Sequence, residues 1–434
     1  MTQNSDRRAI HVLNQGIQRI QMRAYGDAAA MLEQAVNLAP HLKDAWYLRG
    51  VALYELKRYE AALRSLNQAI DLEPEFPEAL NSRGMALFSL GSYDAAIADY
   101  DRTLKLKPTF HQAWYNRGNG LSHTGCLQAA LESYNKALEL DPQYTKSWYN
   151  RGIMLSKLGQ PAAALASYDK ALEFRPHYTN AWFNRANLLN QIGQYEDALT
   201  SYDRVIAIRS DWDAAWYNRG NVLHKLGQVE SALVSYKKAI GLNPRLYEAW
   251  YNRGKLLETI YCYEEASTCY EEALKIQPTL REAWYSWGSL LQRMNHFTEA
   301  LARFEHLVQV SPTFARGWYR RGYILYQLGQ YEKAMVSYSL AVRHDPHLAE
   351  AWYGRGLALD RIGRTKDALA SYSQALQLKP NLQTVWSQTE SPIEESSHLL
   401  DHATQGNEAV EVYEHMLSMP FSYAYELHYP TPTA

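Results

Sequence analysis

The segment Trp-Tyr-Asn-Arg-Gly at Trp114–Gly118 recurs along the chain, and the spacing of its copies decides the fold. Trp-Tyr-Asn returns at Trp148, Trp216 and Trp250, and Trp-Phe-Asn stands at Trp182. Every gap is a multiple of 34 residues, and the same register fills residues 9–382 with eleven repeats and no insertion or deletion. Repeat positions 1 to 34 are counted from Ala9 in the first repeat. A fixed period of this length indicates a repeat architecture.

Small residues and proline stand at fixed repeat positions. Position 8 is Gly in ten of the eleven repeats, with Ala186 as the exception, and position 20 is Ala in all eleven. Position 32 is Pro in ten repeats, with Ser210 as the exception. Small side chains allow two helices to approach closely, and a proline ends a helix. The pattern therefore predicts two closely packed helices in each repeat.

The apolar positions agree with this prediction. They fall at positions 4, 8 and 11 and again at 17, 20, 24 and 27, which are two stripes at helical spacing. A Gly near position 15 is expected to end the first helix, and the Pro at position 32 the second. Because a single helical hairpin cannot bury its own stripes, neighbouring hairpins must stack into a solenoid.

This pattern resembles the tetratricopeptide repeat (TPR) family over residues 9–382. The family residues are matched in one repeat at Trp114, Gly118, Ala130, Tyr134 and Pro142. Two departures recur: Leu replaces the family's Tyr at position 11, and Arg replaces Leu at position 7 in nine repeats. The resemblance implies an all-α fold, a right-handed TPR superhelix built of helical hairpins.

Both ends of the chain depart from the pattern. Residues 1–8 are expected to be disordered, and Val12-Leu13-Asn14 stands where later repeats carry Trp-Tyr-Asn. Within residues 383–434 we expect a partial capping helix with Trp386 docked on the last full repeat. A short amphipathic helix is predicted over residues 407–419, followed by a disordered tail from Pro420.

The composition excludes several classes of function. Lys plus Arg (44) nearly balances Asp plus Glu (46), which offers no basic field for nucleic acid. No stretch of the sequence is apolar for long enough to span a membrane. The three cysteines, Cys126, Cys262 and Cys269, form no CxxC pair, so reducing conditions and a cytoplasmic location are expected.

No sequence motif indicates catalysis. Dinucleotide-binding, phosphate-loop and nucleophile-elbow motifs are lacking, and His123, His224 and His296 fall at unrelated repeat positions. We therefore expect no catalytic residue, no metal site and no cofactor, and predict that the protein is not an enzyme.

The candidate site comes from the resemblance. In TPR proteins with peptide ligands, positions 2, 5, 6, 9, 12 and 13 line a concave groove. The candidate groove residues are aromatic side chains at position 5 and Asn side chains at positions 6 and 9: Tyr115, Tyr149, Phe183, Tyr217, Tyr251, Asn116, Asn150, Asn184, Asn218, Asn252, Asn119, Asn187 and Asn221. A carboxamide can pair with both polar groups of a peptide backbone. The arrangement is similar to the asparagine ladder of O-linked N-acetylglucosamine transferases. The alternative is that these residues only bond to the neighbouring helix.

Two basic features also require interpretation. Lys255, Arg316 and Arg320 are expected to form a patch that prefers an acidic segment, with ordinary solvated charge as the alternative. The Arg at position 7 is expected to lie over the Trp at position 4, with its stem packed between repeats. A stripe of arginines that reads phosphate or RNA is the alternative, and the neutral net charge argues against it.

The sequence thus predicts a scaffold or adaptor that binds an extended segment of a partner protein, along Asn116 to Asn252. One alternative is an assembly factor that holds folded subunits on its convex face. Another is a substrate-recruiting subunit of a separately encoded enzyme. A third is self-regulation, in which the segment with Tyr423, Tyr425 and Tyr429 occupies the groove.

Overall fold

A computed structural model describes residues 2–379, and this part of the chain consists of α-helices joined by short turns. The chain divides into two compact units, Met1–Gln228 and Val229–Ala434. Unit 1 contains α1 (Thr2–Gln21), α2 (Tyr25–Leu38), α3 (Lys43–Glu55), α4 (Tyr59–Leu72), α5 (Pro77–Ser89), α6 (Tyr93–Leu106), α7 (His111–His123), α8 (Leu127–Leu140), α9 (Thr145–Lys157), α10 (Pro161–Phe174), α11 (Thr179–Gln191), α12 (Tyr195–Ile208) and α13 (Asp213–Lys225).

Unit 2 continues the same alternation. It contains α14 (Val229–Leu242), α15 (Tyr247–Thr259), α16 (Tyr263–Ile276), α17 (Arg281–Arg293), α18 (Phe297–Val310), α19 (Ala315–Gln327), α20 (Tyr331–His344), α21 (Ala349–Arg361) and α22 (Thr365–Leu378). The first helix of a repeat, helix A, has 13 residues beyond the first repeat, and the second, helix B, has 14. The predicted all-α solenoid is confirmed in each unit, where consecutive helices pack on one another.

The start of the chain differs from the expectation of disorder over residues 1–8. Helix α1 begins at Thr2, so residues 2–8 extend the first A helix. Two contacts hold the extension against the end of α2: Ser5 Oγ donates to the Leu38 carbonyl at 2.8 Å, and His41 Nε2 lies 3.7 Å from the Asp6 carboxylate. The predicted cap with Trp386, the helix over 407–419 and the tail from Pro420 lie outside the described residues.

The small residues act as the sequence predicts. The Ala at position 20 is fully buried in every repeat. At position 8, a Cβ on Gly118 would lie 2.6 Å from Cε1 of Tyr134, the buried ring at position 24 of the same hairpin. Such a separation is far inside van der Waals contact, so the glycine is what allows α7 and α8 to pack at this distance.

The tryptophan at position 4 joins one repeat to the turn before it. The indole Nε1 of Trp114 donates to the Pro108 carbonyl at 2.9 Å, and eight other repeats contain the same bond. In the one repeat that follows Ser210, Trp216 donates to the Ser210 carbonyl, also at 2.9 Å. The acceptor is a backbone oxygen, which explains why the exception at position 32 leaves the contact intact.

Position 15 adopts the left-handed backbone conformation in every repeat. Seven of these residues are the predicted glycines: Gly91, Gly125, Gly159, Gly193, Gly227, Gly329 and Gly363. The other four are Arg23, Lys57, Tyr261 and Asn295, with φ between 58° and 64°. The turn, and not the residue type, fixes this conformation, and a bulky residue there stores strain of about 1 kcal/mol.

We therefore expect Tyr261→Gly to raise the stability of unit 2 by about 1 kcal/mol, because glycine adopts φ near 64° without steric cost. The urea midpoint of the full chain, followed by circular dichroism, measures the gain. Tyr261→Ala is the matched control: it removes the same exposed ring and keeps a Cβ. An equal gain from both variants would mean that the ring, and not the backbone, causes the strain.

Candidate functional site

The arginines at position 7 connect the hairpins to one another. Arg117 donates from Nη1 to Ser133 Oγ at 2.8 Å in its own B helix and from Nε to Asp101 at 2.6 Å in the preceding B helix. Its guanidinium carbon lies 5.9 Å from the centre of the Trp114 ring. The Arg–Ser bond recurs for Arg49, Arg151, Arg185, Arg321 and Arg355.

These contacts confirm the structural role predicted for the arginine stripe. Each of these guanidinium groups is bonded to one or two B helices and lies over a tryptophan ring, so its contacts connect elements of the fold. Arg83 uses the same geometry with a carboxylate, since Nη2 lies 2.6 Å from Oδ1 of the buried Asp99.

Repeat 9 makes its Arg–Trp contact with residues at different repeat positions. Trp287 stands at position 7 and Arg303 at position 23, where most other repeats have Arg and Ser. The Arg303 guanidinium carbon lies 3.8 Å from the centre of the Trp287 ring, and the Trp287 indole donates to Ser267 Oγ at 2.6 Å. The cation stands on helix B in this repeat while its aromatic partner stays on helix A, so the interface between α17 and α18 keeps an Arg–Trp contact.

This contact predicts that the effects of substitutions at Trp287 and Arg303 on stability depend strongly on each other. We expect Trp287→Arg alone to destabilise the chain, because it places two guanidinium groups against each other. Adding Arg303→Ser recreates the arrangement of the other repeats, in which the new arginine reaches Ser at 303 and Glu271 on the preceding helix. A double-mutant cycle on urea midpoints should give a coupling of about 1–3 kcal/mol. Additive effects would show that the two side chains act independently.

The position 6 asparagines of unit 1 lie on the face formed by the A helices. Hydrogen bonds link α7 to α9, α9 to α11 and α11 to α13, and positions 5, 6 and 9 of these helices are half-buried. Each of the four Asn side chains donates from Nδ2 to the preceding A helix: Asn116 to Asn81 Oδ1 at 3.0 Å, Asn150 to Asn119 Oδ1 at 2.8 Å, Asn184 to Tyr149 OH at 3.0 Å and Asn218 to Asn187 Oδ1 at 3.2 Å. The sequence reasoning missed Asn81, which replaces the usual aromatic at position 5.

The internal bonds use only part of each carboxamide. Within residues 2–379, no protein donor reaches Oδ1 of Asn116, Asn150, Asn184 or Asn218. Asn150 Nδ2 also lies 3.5 Å from the hydroxyl oxygens of Tyr115 and Tyr134, so its donors are engaged inside the fold. The internal bonds fix the rotamer, while the carbonyl oxygen of each side chain stays available as an acceptor. Burial raises the pKa of Tyr149, so the phenol that accepts from Asn184 remains protonated at neutral pH and can itself donate.

In unit 2, the tyrosine at position 5 still contacts the position 6 side chain of the following repeat, but that side chain is no longer asparagine. Tyr251 OH and Ser286 Oγ lie 3.5 Å apart, and Arg320 Nε donates to Tyr285 OH at 3.2 Å. At position 6 of repeat 10, Arg320 thus takes the place that asparagine has in repeats 4 to 8. Asn252 belongs to this unit and makes interactions of its own.

The three residues of the predicted basic patch do not share one environment. Arg316 and Arg320 both stand on α19, where Arg316 is exposed and Arg320 is half-buried against Tyr285. Lys255 lies on α15, two repeats earlier, and forms no hydrogen bond or ion pair in the described part of the chain. The sequence did not reveal that a cavity of about 370 Å³ adjoins Arg316.

Two kinds of feature are absent from residues 2–379. Between residues 2 and 379, no helix is long and apolar enough to cross a membrane. In the same range, no three His, Cys, Asp or Glu side chains are grouped as a metal site would require.

Comparison with protein families agrees with the fold. Family models described as TPR repeat or tetratricopeptide repeat match residues 13–71, 58–109, 111–144, 145–178, 167–200, 186–227, 220–259, 247–280, 322–363 and 349–382. The chain belongs to the tetratricopeptide repeat family. No matched range covers the residues between 280 and 322, where repeat 9 has Trp287 at position 7 and Arg303 at position 23.

Solved structures of other proteins match parts of this chain. The TPR protein YrrB, described as having an unusual peptide-binding site, is 26% identical, and the match covers 44% of this chain and 98% of that one, with a TM-score of 0.40. MamA is 23% identical, with 37% and 94% covered and a TM-score of 0.36. The C-terminal part of a TPR protein from Cytophaga hutchinsonii is 16% identical, with 55% and 97% covered and a TM-score of 0.48. A comparison with curated proteins gives no significant match.

Proposed function

We propose that this TPR protein is a non-catalytic scaffold that binds an extended segment of a partner protein on the A-helix face of unit 1. TPR repeats bind protein or peptide partners, and this family membership supports a role in protein interaction. The finer proposal is supported by one observation. The four ladder asparagines of unit 1 are each fixed by an internal hydrogen bond and each keep a free carbonyl oxygen.

A bound segment would gain from this preorganisation. An extended peptide offers an N–H at every residue, and the free carboxamide oxygen of each of these asparagines can accept a hydrogen bond from it. Because the rotamers are already fixed, binding costs little side-chain entropy at these positions. Contacts to the backbone would hold many sequences, while the rings at position 5, such as Tyr115 and Phe183, would add apolar contact. Affinity should then rise with the number of repeats that the segment spans.

The test uses peptides selected from a random display library on the full chain. We expect Asn150→Ala and Asn184→Ala together to weaken the selected peptides at least tenfold in fluorescence anisotropy. The matched control is Lys136→Ala with Lys170→Ala, two exposed positions on the B helices of repeats 4 and 5. It should leave the affinity unchanged.

Both variants must first show thermal melting like that of the native chain, because the asparagines also bond to the neighbouring helix. A loss of affinity confined to the lysine variant would place binding on the B-helix face and favour the assembly-factor alternative. If both variants bind the peptides as tightly as the native chain does, the position 6 asparagines of unit 1 are excluded as the binding site.

A further inference from the structure

Charge is unevenly distributed along the chain. Residues 380–434 contain eight Asp or Glu and no Lys or Arg, a formal charge of −8. Because the whole chain carries −2, residues 1–379 carry +6. Residues 281–379, which contain repeats 9 and 10 and most of repeat 11, have 13 Lys or Arg against 8 Asp or Glu, a charge of +5. The acidic segment is therefore joined directly to a basic part of unit 2.

The basic part contains the cavity of about 370 Å³, formed where repeats 9 and 10 meet. The Tyr285 and Phe314 rings lie in its wall with centroids 5.8 Å apart. Arg281, Arg316 and His344 also line it. The acidic residues of the lining are Glu282, paired with Arg281 at 2.8 Å, and Asp345, which accepts from the His347 amide at 3.0 Å.

Arg316 is the cation of this lining that is available to a ligand. It is exposed, and no hydrogen bond or ion pair occupies its guanidinium within residues 2–379. Arg281, by contrast, is paired with Glu282 and lies 5.0 Å from the Phe314 ring centre. A ligand suited to the site therefore carries an aromatic ring for the wall and a carboxylate for Arg316.

The acidic segment has this chemistry. Phe421, Tyr423, Tyr425 and Tyr429 stand close together around Glu426, and three further carboxylates precede them at Glu408, Glu411 and Glu414. Phe421 is 42 residues beyond Lys379, and a fully extended chain of that length reaches up to roughly 140 Å. Neighbouring helices in a stack are only about 8–10 Å apart, so the cavity is within reach.

We propose that the chain's own acidic segment, residues 380–434, docks on unit 2 at this cavity. An aromatic side chain from residues 421–429 enters beside Tyr285 and Phe314, and a nearby carboxylate pairs with Arg316. Covalent attachment gives the segment an effective concentration on the order of 1 mM, so weak contacts are sufficient for docking. A docked segment would compete with any acidic partner for Arg316. This inference uses unit 2 and does not depend on the asparagine ladder of unit 1.

The test is photocrosslinking in the full chain, with p-benzoylphenylalanine incorporated in place of Tyr423. After irradiation at low micromolar concentration, mass spectrometry of the intramolecular products should find adducts in residues 281–285, 313–316 or 344–345. Arg316→Glu should reduce the yield of these adducts about tenfold, and 0.5 M salt should also reduce it. Glutamate is favourable in the first turn of a helix, so this variant should fold.

Lys333→Glu is the matched control: it makes the same charge reversal at an exposed position of α20 outside the cavity lining, and the adduct yield should persist. Three outcomes would overturn the proposal. They are adducts confined to unit 1, equal yields in Arg316→Glu and Lys333→Glu, and products that join two copies of the chain and vanish on dilution.

Discussion

The contact between the glycine at repeat position 8 and the side chain at position 24 is the constraint on which the hairpins depend, and Ala186 is the one substitute for this glycine. Where position 24 is tyrosine, as at Tyr134, its ring fills the space that a Cβ on Gly118 would occupy. The two helices then bury the alanine at position 20 completely. A hairpin closed in this way still has an apolar side toward the next repeat, so it is stable only within a stack.

A second layer of contacts connects the hairpins through polar groups. The arginine at position 7 bonds to B helices on both sides and stacks on the tryptophan at position 4, whose indole holds the preceding turn. Repeat 9 shows that the arginine can stand on either helix, because Arg303 on helix B contacts Trp287 on helix A. A half-buried cation in this position needs a partner, and either helix can supply it.

The residues that close each hairpin and connect it to its neighbours stand at positions 4, 7, 8, 20 and 24. Position 6, on the A-helix face, can therefore vary along the chain. It is Asn from repeat 4 to repeat 8, then Ser286, Arg320 and Gly354. In unit 1 these side chains bond to the preceding helix and keep polar atoms free. In unit 2, Arg320 keeps the bond to the preceding tyrosine and changes the charge of the surface. The same scaffold thus presents two chemically different surfaces.

The sequence by itself determined the helices, their pairing and the residues between them, because a 34-residue period forces every repeat into the same local geometry. The glycines at position 15, the alanines at position 20 and the arginine–tryptophan stacking were all predictable from it. What only the tertiary structure decided concerns contacts between repeats. The period did not reveal that Asn150 donates to Asn119, that α1 begins at Thr2, or that a cavity forms beside Arg316. These features depend on which side chains of neighbouring repeats meet, and that geometry exists only once the hairpins are stacked.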